Sequence, residues 1–451
     1  MITRRCCLGP SRYQRTERPR QRHIKRRLHA RVRLIDRIRQ VGAVALDPQT
    51  NHYAFGYDPK WIRAGGPSLS PRYMPLSETA VYVFPSLNEE TYKRLPSAIA
   101  DSLPDRFGNA LIDEYMAGKG VAKSDVTELD RLAYLGSRAM GALEFKPELR
   151  RAKGTEEALQ MNSLVQAARE AIKGSFAGDK AAQKAIRELI EVGTSAGGAK
   201  AKAVIAWNEE TDEIRSGHAA PKPGFSDWLI KFDNTESRDA QEHAKNDGRE
   251  EYAFYLMAKA CDIDMNRSRL LQENGRAHFM TRRFDRPTTE SRPYVQSACA
   301  IGHMDFKQVK SYSYEQLFQL LIELGCPYSD RVELFRRMVL NVLIVNCDDH
   351  TKNTSFLITQ DNMQWRLSPA YDITHSYKPG GKWTGEHFLS INSKRMDIQW
   401  DDLMLVAERF QVPAAKASFE RVRDAVQNWA EYATRAGLDP SKRPWELTKS
   451  A

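Results

Sequence analysis

The sequence predicts an α+β fold, β-rich toward its N-terminus and mostly helical toward its C-terminus. Two observations predict it. Short runs of β-branched and aromatic residues, bounded by Gly, Pro and Asp, recur as far as Phe284. Beyond residue 310 the apolar residues recur instead at helical spacing. With 451 residues, 41% of them hydrophobic and 28% charged, the chain is long enough for about two to four domains. That apolar fraction excludes an intrinsically disordered chain. The longest apolar-rich run, Met338 to Cys347, is interrupted by Asn341 and Asn346 and falls well short of the ~20 residues of a membrane helix. No secretory signal is evident, because no apolar segment follows the N-terminal charges.

In chain order, residues 1–30 read as a basic, disordered extension. Val41–Leu46 and Ala80–Phe84 read as short strands, with a turn-rich aromatic segment, Phe55–Trp61, between them. Residues 155–173 and 178–192 read as helices, the second with Ile186, Leu189 and Ile190 on one face. A Gly-rich turn at 193–198 leads into the strand Ala203–Trp207, and Trp228–Phe232 is a further strand. A helix over 249–261 precedes the strand Phe279–Phe284, which runs into a loop. Residues 314–324 and 330–346 read as amphipathic to buried helices, and Phe419, Val422, Val426 and Trp429 mark a last long helix.

The net charge of +10 is unevenly placed. Residues 1–40 hold 14 Lys and Arg against Glu17 and Asp36, which leaves 54 basic and 56 acidic side chains in the rest of the chain. The folded body is therefore not basic, and direct nucleic-acid binding is expected, if anywhere, only of the N-terminal stretch. The six cysteines form no C-x-x-C pair, so a reducing, cytoplasmic setting is the simplest reading, with no membrane association.

The segment Asn346–Asn353 (NCDDHTKN) packs two carboxylates, an imidazole, a lysine and amides between a buried helix and the strand Thr354–Ile358. Polar clusters wedged between core elements commonly carry function. Asp348 to Asn353 has the D-x-x-x-x-N spacing of a protein-kinase catalytic loop, in which the Asp accepts a substrate hydroxyl proton and the Asn holds Mg²⁺. The ordinary alternative is a hydrogen-bonded helix end and turn. Zinc is not expected, because Cys347 and His350 have no matching second pair. Asp372, 19 residues beyond Asn353, is placed to supply a second Mg²⁺ carboxylate, although no D-F-G glycine follows it; a turn aspartate is the alternative.

Lys231 stands inside an apolar strand, which is costly unless the ammonium is paired. Glu251, 20 residues on, is its natural partner, and a strand Lys with a helix Glu is how kinases hold ATP phosphates. A solvent-facing lysine on an edge strand is the alternative. The Gly193–Lys202 segment (GTSAGGAKAK) frees backbone to approach phosphates, yet it is not a P-loop, since Ala199 stands where the Lys must be. A helix C-cap is its alternative. The order Gly-rich loop, strand Lys, helix Glu, D-x-x-x-x-N and Asp is that of a two-lobed, protein-kinase-like fold.

These residues resemble the HipA family of bacterial serine/threonine protein kinases, the toxins of HipBA-type toxin–antitoxin pairs. The resemblance is carried by Asp348–Asn353 (D-x-H-x-K-N), Thr194–Lys202, Arg283–Arg286 (RFDR), Ser313–Phe318, Pro369–Asp372 (PAYD) and Leu103–Gly108 (LPDRFG), and it runs from about residue 35 to 440. It implies ATP and Mg²⁺ as cofactors, Asp348 as catalytic base, and Asn353 and Asp372 as metal ligands. Ser195, Gly197, Gly198, Lys202, Lys231, Glu251, Phe284, His350 and Lys352 are implied at the nucleotide, with Phe284 at the adenine hinge. Ser195 is also the implied site of an inactivating autophosphorylation. The implied partners are a helix-turn-helix antitoxin like HipB, which makes most of the DNA contact, and a protein substrate such as an aminoacyl-tRNA synthetase.

The division expected on this basis is an extension at 1–30, a β-rich subdomain at 31–150, a nucleotide-binding part at 151–286 and a helical lobe at 287–445. Two departures from the family pattern are Arg282, where an acidic hinge residue can stand, and Lys200, at a position often Gln. A small-molecule phosphotransferase of the aminoglycoside type shares the Asp, Asn and Mg²⁺ logic, and a non-catalytic corepressor acting with an antitoxin is a reading from another class. ATP turnover separates the corepressor from both kinases; phosphorylation of a protein serine separates the two kinases.

Overall fold

The computed structural model describes residues 27–33, 38–149, 202–217, 222–233, 246–273, 275–288, 291–358 and 363–447. The helices expected at 155–173 and 178–192, and Ser195, Gly197 and Gly198 of the Gly-rich segment, lie outside the described residues. The architecture is mixed α/β. A first sheet has the order β4-β3-β2-β1-β5, from β1 (Arg27–Arg33), β2 (Ile38–Asp47), β3 (His52–Tyr57), β4 (Val81–Tyr82) and β5 (Leu143–Lys146). A second has the order β7-β6-β8-β10-β9, from β6 (Lys202–Asn208), β7 (Ile214–Ser216), β8 (Phe225–Lys231), β9 (Ser268–Glu273) and β10 (Arg276–Arg282). A small third sheet pairs the strand Ser355–Ile358 between the strands Tyr294–Ser297 and Trp365–Leu367. No helix among the described residues is long and apolar enough to cross a membrane.

Three expectations are corrected. Arg27–Arg33 is a strand paired on both sides, with β2 and β5, and Leu28 is fully buried, so residues 27–30 of the stretch assigned to an extension belong to the first sheet. Backbone pairing at two edges outweighs the basic composition there. The aromatic segment Phe55–Trp61 is not a turn: it completes β3 and enters the helix Pro59–Arg63, where Asp58 caps the Lys60 N–H at 2.8 Å and Pro59 takes the first helical position. The last long helix is two helices, Ala415–Gln427 and Trp429–Ala436, parted at Asn428. The break lets Trp429 turn inward, where its ring packs 5.2 Å from both Phe254 and Trp445 and its indole N–H donates to the Lys442 carbonyl at 2.7 Å.

Among the described residues, two apolar cores hold the elements. The larger joins the first sheet to the C-terminal helices, with Leu334, Phe335, Met338, Val339 and Leu340 of the helix Tyr328–Leu343 among its buried members. The smaller lies on one face of the second sheet, where Ala203, Ile205, Trp207, Trp228 and Ile230 meet Leu111, Ile112 and Met116 of the helix Arg106–Ala117. Because side chains alternate along a strand, Lys202 and Lys231 emerge on the opposite face of β6 and β8.

The loop after β10 is tied to the N-terminal part by a buried ion cluster. Asp285 accepts bonds from Arg283 (2.8 and 2.6 Å), Arg286 (2.8 Å) and the Gly141 N–H (2.8 Å), and Arg286 also donates to the Gly141 and Ala139 carbonyls at 2.9 Å. Burial alone would raise the Asp285 carboxyl, but the two guanidiniums hold it well below the usual carboxylate range. Its stabilisation is therefore present above the ordinary 3.8 and is lost as the pH falls through and below it. Asp285→Ala strands two buried guanidiniums and should lower stability by about 3–5 kcal/mol at neutral pH, read from urea unfolding; an unchanged midpoint would contradict this role.

Candidate active site

β8 is the central strand of its sheet, so Lys231 is not an edge lysine. It lies opposite Lys202 on β6 and Phe279 on β10. Its ammonium donates to Glu251 on one side and Asp372 on the other. Glu251 is presented by the helix Asp247–Ala260, which can seat on β10 only because residue 248 is glycine: a Cβ there would stand 2.0 Å from the Ala277 carbonyl oxygen. Glu251 comes one turn later and is buried. Burial alone would drive the Lys231 pKa down; Asp372 and Glu251 overcome that and hold it above the ordinary lysine value, so it stays charged. Asp372 is likewise held below its ordinary value, against its burial, chiefly by Lys231 and then by Lys202.

Asp372 arrives on the segment Ser368–Thr374, which is pinned at several points. The Ser368 N–H donates to Ser355 (2.8 Å), its carbonyl accepts from Arg337 (2.7 Å), and the Ala370 N–H donates to Asp264 (2.7 Å). The Tyr371 hydroxyl donates to the Lys352 carbonyl at 2.9 Å, tying this segment to the loop that carries Asp348. Asp372 itself has φ 55, a left-handed conformation that aspartate tolerates.

The Asp348 loop begins where the buried helix Tyr328–Leu343 ends. Val345, β-branched, sits at φ 51, a strained conformation costing on the order of 1–3 kcal/mol. The chain then bonds to Ser376, and the Asn346 side chain donates to the Asn341 carbonyl Oδ1 at 3.0 Å. Asp348 is 50% exposed at its side chain, the most open acid of the cluster. Partial burial, with the nearby Asp372 and Asp349 charges, raises its pKa above the ordinary aspartate value, while His350 acts the other way. Asn353 closes the loop by donating its amide nitrogen to the Asp348 carbonyl at 2.8 Å, which commits the nitrogen and leaves the amide oxygen as the end that can face a cation.

The neighbouring residues have different duties. Asp349 is buried and structural: it accepts the Phe388 N–H at 2.8 Å and meets His387 Nδ1 at 3.1 Å. His350 stands 3.8 Å from Asp348 with its ring edge-on to Phe306 and Phe388. The Lys352 ammonium is 3.8 Å from Asp101, toward the N-terminal part, and 5.4 Å over the Phe306 ring. Phe284 stacks on Tyr371 with centroids 6.0 Å apart, beside Asp372. Lys202 is buried and paired with Asp105 at 3.0 Å.

The structure thus brings Lys231, Glu251, Asp372 and Lys202 together, with Asp348 close enough to Asp372 for their charges to interact. Sequence reasoning assigned no duty to Asp105 or Tyr371, although both stand in quoted motifs. The available signal for Asp105 was its position ahead of a helical run, where an Asp is a good N-cap.

Sequence models of two domains match the chain: the HipA N-terminal domain over residues 32–146 and the HipA-like C-terminal domain over residues 194–430, the second alone more than half of the chain. The chain belongs to the HipA family. Its fold is similar to that of HipA from Shewanella oneidensis MR-1, solved as a toxin–antitoxin complex with HipB and operator DNA, with a TM-score of 0.63 and 16% identity over 94% of each chain. At that identity the likeness concerns fold. The proinflammatory kinase CtkA from Helicobacter pylori aligns at a TM-score of 0.32 and 10% identity, over 50% of this chain and 90% of its own. None of the curated proteins matches significantly. In this HipA-family chain, Asp105 falls in the N-terminal domain and Lys231, Glu251, Asp348, Asn353 and Asp372 all fall in the C-terminal one.

Proposed function

We propose that this HipA-family chain is an ATP- and Mg²⁺-dependent serine/threonine protein kinase, its nucleotide taken between the β6–β10 sheet and the helical part in a two-lobed arrangement. The observation that carries the reading is Lys231, on the central strand, charged and held between Glu251 and Asp372, with the half-open Asp348 carboxylate nearby. A largely buried ammonium with two carboxylates is an expensive feature to maintain unless it serves an anionic ligand.

The donor set suits a hard cation. Among the described residues no group of three or more His, Cys, Asp or Glu could hold a metal unaided. Mg²⁺ in nucleotide sites needs only one or two carboxylates together with phosphate and water oxygens, and Asp372 and the Asn353 amide oxygen fit that need. Bound there, Mg²⁺ would supply neutralisation of phosphate charge. Lys231 and Lys202 orient the β- and γ-phosphates, and Phe284 flanks the base. Asp348 orients a serine or threonine hydroxyl in line; as the hydroxyl oxygen bonds to the γ-phosphorus, the bond to the ADP oxygen breaks and the hydroxyl proton passes to Asp348. His350 and Lys352 shape the loop around it.

The finer reading follows the family. The substrate is a translation component such as an aminoacyl-tRNA synthetase, the partner is a helix-turn-helix antitoxin like HipB, and phosphorylation of Ser195 places about −2 charge in a phosphate-cradling loop and turns the kinase off.

Incubation of the full chain with γ-labelled ATP and Mg²⁺ tests the reading. Label in protein phosphoserine, lost with EDTA, is expected. Label found only in inorganic phosphate or a small molecule would favour a metabolite phosphotransferase, and ATP bound without turnover would contradict catalysis. A pH dependence follows as well. Asp348 must be ionised to accept the proton and its pKa is raised, so transfer should fall on acidification with a midpoint above 3.8, while Asp372 stays ionised. A midpoint at or below 3.8 in the rate profile would contradict the assignment.

A further inference from the structure

Lys202 and Lys231 face each other directly across β6 and β8. Like charges so placed on neighbouring strands are destabilising unless each has its own counter-charge. Lys231 has Glu251 and Asp372. Lys202 has Asp105, whose Oδ2 lies 3.0 Å from its ammonium, the two side chains being 6% and 4% exposed.

Asp105 is itself rigidly held. Its other oxygen accepts the Gly108 N–H at 2.7 Å, capping the helix Arg106–Ala117. That helix belongs to the N-terminal domain and packs Leu111, Ile112 and Met116 against the far face of the same sheet. One carboxylate therefore joins the start of an N-terminal-domain helix to an ammonium beside the nucleotide lysine. Without it, Lys202 would compete for Asp372, which already responds to its charge.

We propose that Asp105 is a positioning residue of the nucleotide site: by holding Lys202 it keeps a second ammonium in place for the phosphates and leaves Asp372 to Lys231, which makes the N-terminal domain an integral part of nucleotide binding. The proposal rests on the nucleotide-site reading above. Asp105 touches no phosphate and acts through Lys202.

The test is titration calorimetry of the full chain with Mg²⁺ and a non-hydrolysable ATP analogue, alongside the KM for ATP. Asp105→Asn keeps a capping oxygen and removes the charge. It should weaken analogue binding and raise KM about tenfold, the scale of a lost charge-assisted bond, with kcat little changed; the melting temperature should fall as well, because the buried Lys202 ammonium loses its counter-charge, so binding is read well below it. In a Lys202→Met background the same substitution should add nothing, because its effect runs through that ammonium. Asp105→Ser, which also caps, takes its place should the Asn variant fail to fold. Unchanged binding in Asp105→Asn, with the parent protein binding normally, overturns this inference alone. Equal weakening in both backgrounds also overturns it, by assigning the effect to the helix rather than to Lys202. No analogue binding by the parent protein overturns the nucleotide reading and this inference with it.

Discussion

Asp348→Asn is expected to slow phosphate transfer to a protein serine by about 10²–10⁴-fold, the range for loss of a general base. Affinity for MgATP should stay within about twofold, because the loss falls on the transition state rather than on nucleotide binding. The substitution is nearly isosteric and the site is half open, so a folding defect is not expected. The backbone carbonyl of residue 348 still accepts from Asn353, which keeps the loop closed. Quantitative labelling of a peptide serine checks the rate, and calorimetry checks the binding. Wild-type rates in the variant would remove Asp348 from the chemistry.

Lys231→Met should have the second large effect, on two observables at once. It takes the cation from between Glu251 and Asp372, leaving two carboxylates facing each other without it. Removing one partner of a fully buried ion pair costs about 3–5 kcal/mol, which is an upper bound here because Lys231 and Asp372 are only partly buried. Nucleotide affinity should drop by tenfold or more, about the worth of a charge-assisted bond to phosphate. The pH dependence has a definite sign. In the wild type, Asp372 is held below its ordinary value, so its stabilisation is present above 3.8 and is lost as the pH falls. In the variant burial and mutual repulsion raise the two carboxyls relative to the wild type, opposed at Asp372 only by the weaker pull of Lys202 and His350, so the variant loses less stability on acidification. The stability gap between the two proteins should therefore narrow as the pH is lowered from neutrality. A gap that widens would contradict the charge arrangement.

The chemistry-bearing residues were legible in the sequence where local pattern constrains them. Lys231 in Trp-Leu-Ile-Lys-Phe could be placed on a strand because apolar β-formers surround it, and Asp348 to Asn353 could be placed on a loop because a buried helix ends just before it. The strand register was not legible. That Lys202 faces Lys231 depends on a pairing across residues far apart in sequence, and no local propensity encodes it. Asp105 was missed for the same reason: an N-cap aspartate is readable, but its second oxygen meets a lysine brought close only by tertiary packing. The Arg27–Arg33 strand was masked by its basic composition. The break at Asn428 was hidden because apolar spacing runs on across it to Trp429, and the packing of that indole against Phe254 and Trp445 is a tertiary contact that spacing does not encode.

The most direct measurement is a crystal structure of the full chain with Mn²⁺ and a non-hydrolysable ATP analogue, the metal located by its anomalous signal. The account predicts the metal between Asp372 and Asn353, the phosphates against Lys231 and Lys202, and the γ-phosphate facing Asp348. A nucleotide bound elsewhere, or bound at this site with Lys231 still closed on both carboxylates and touching no phosphate, would contradict it.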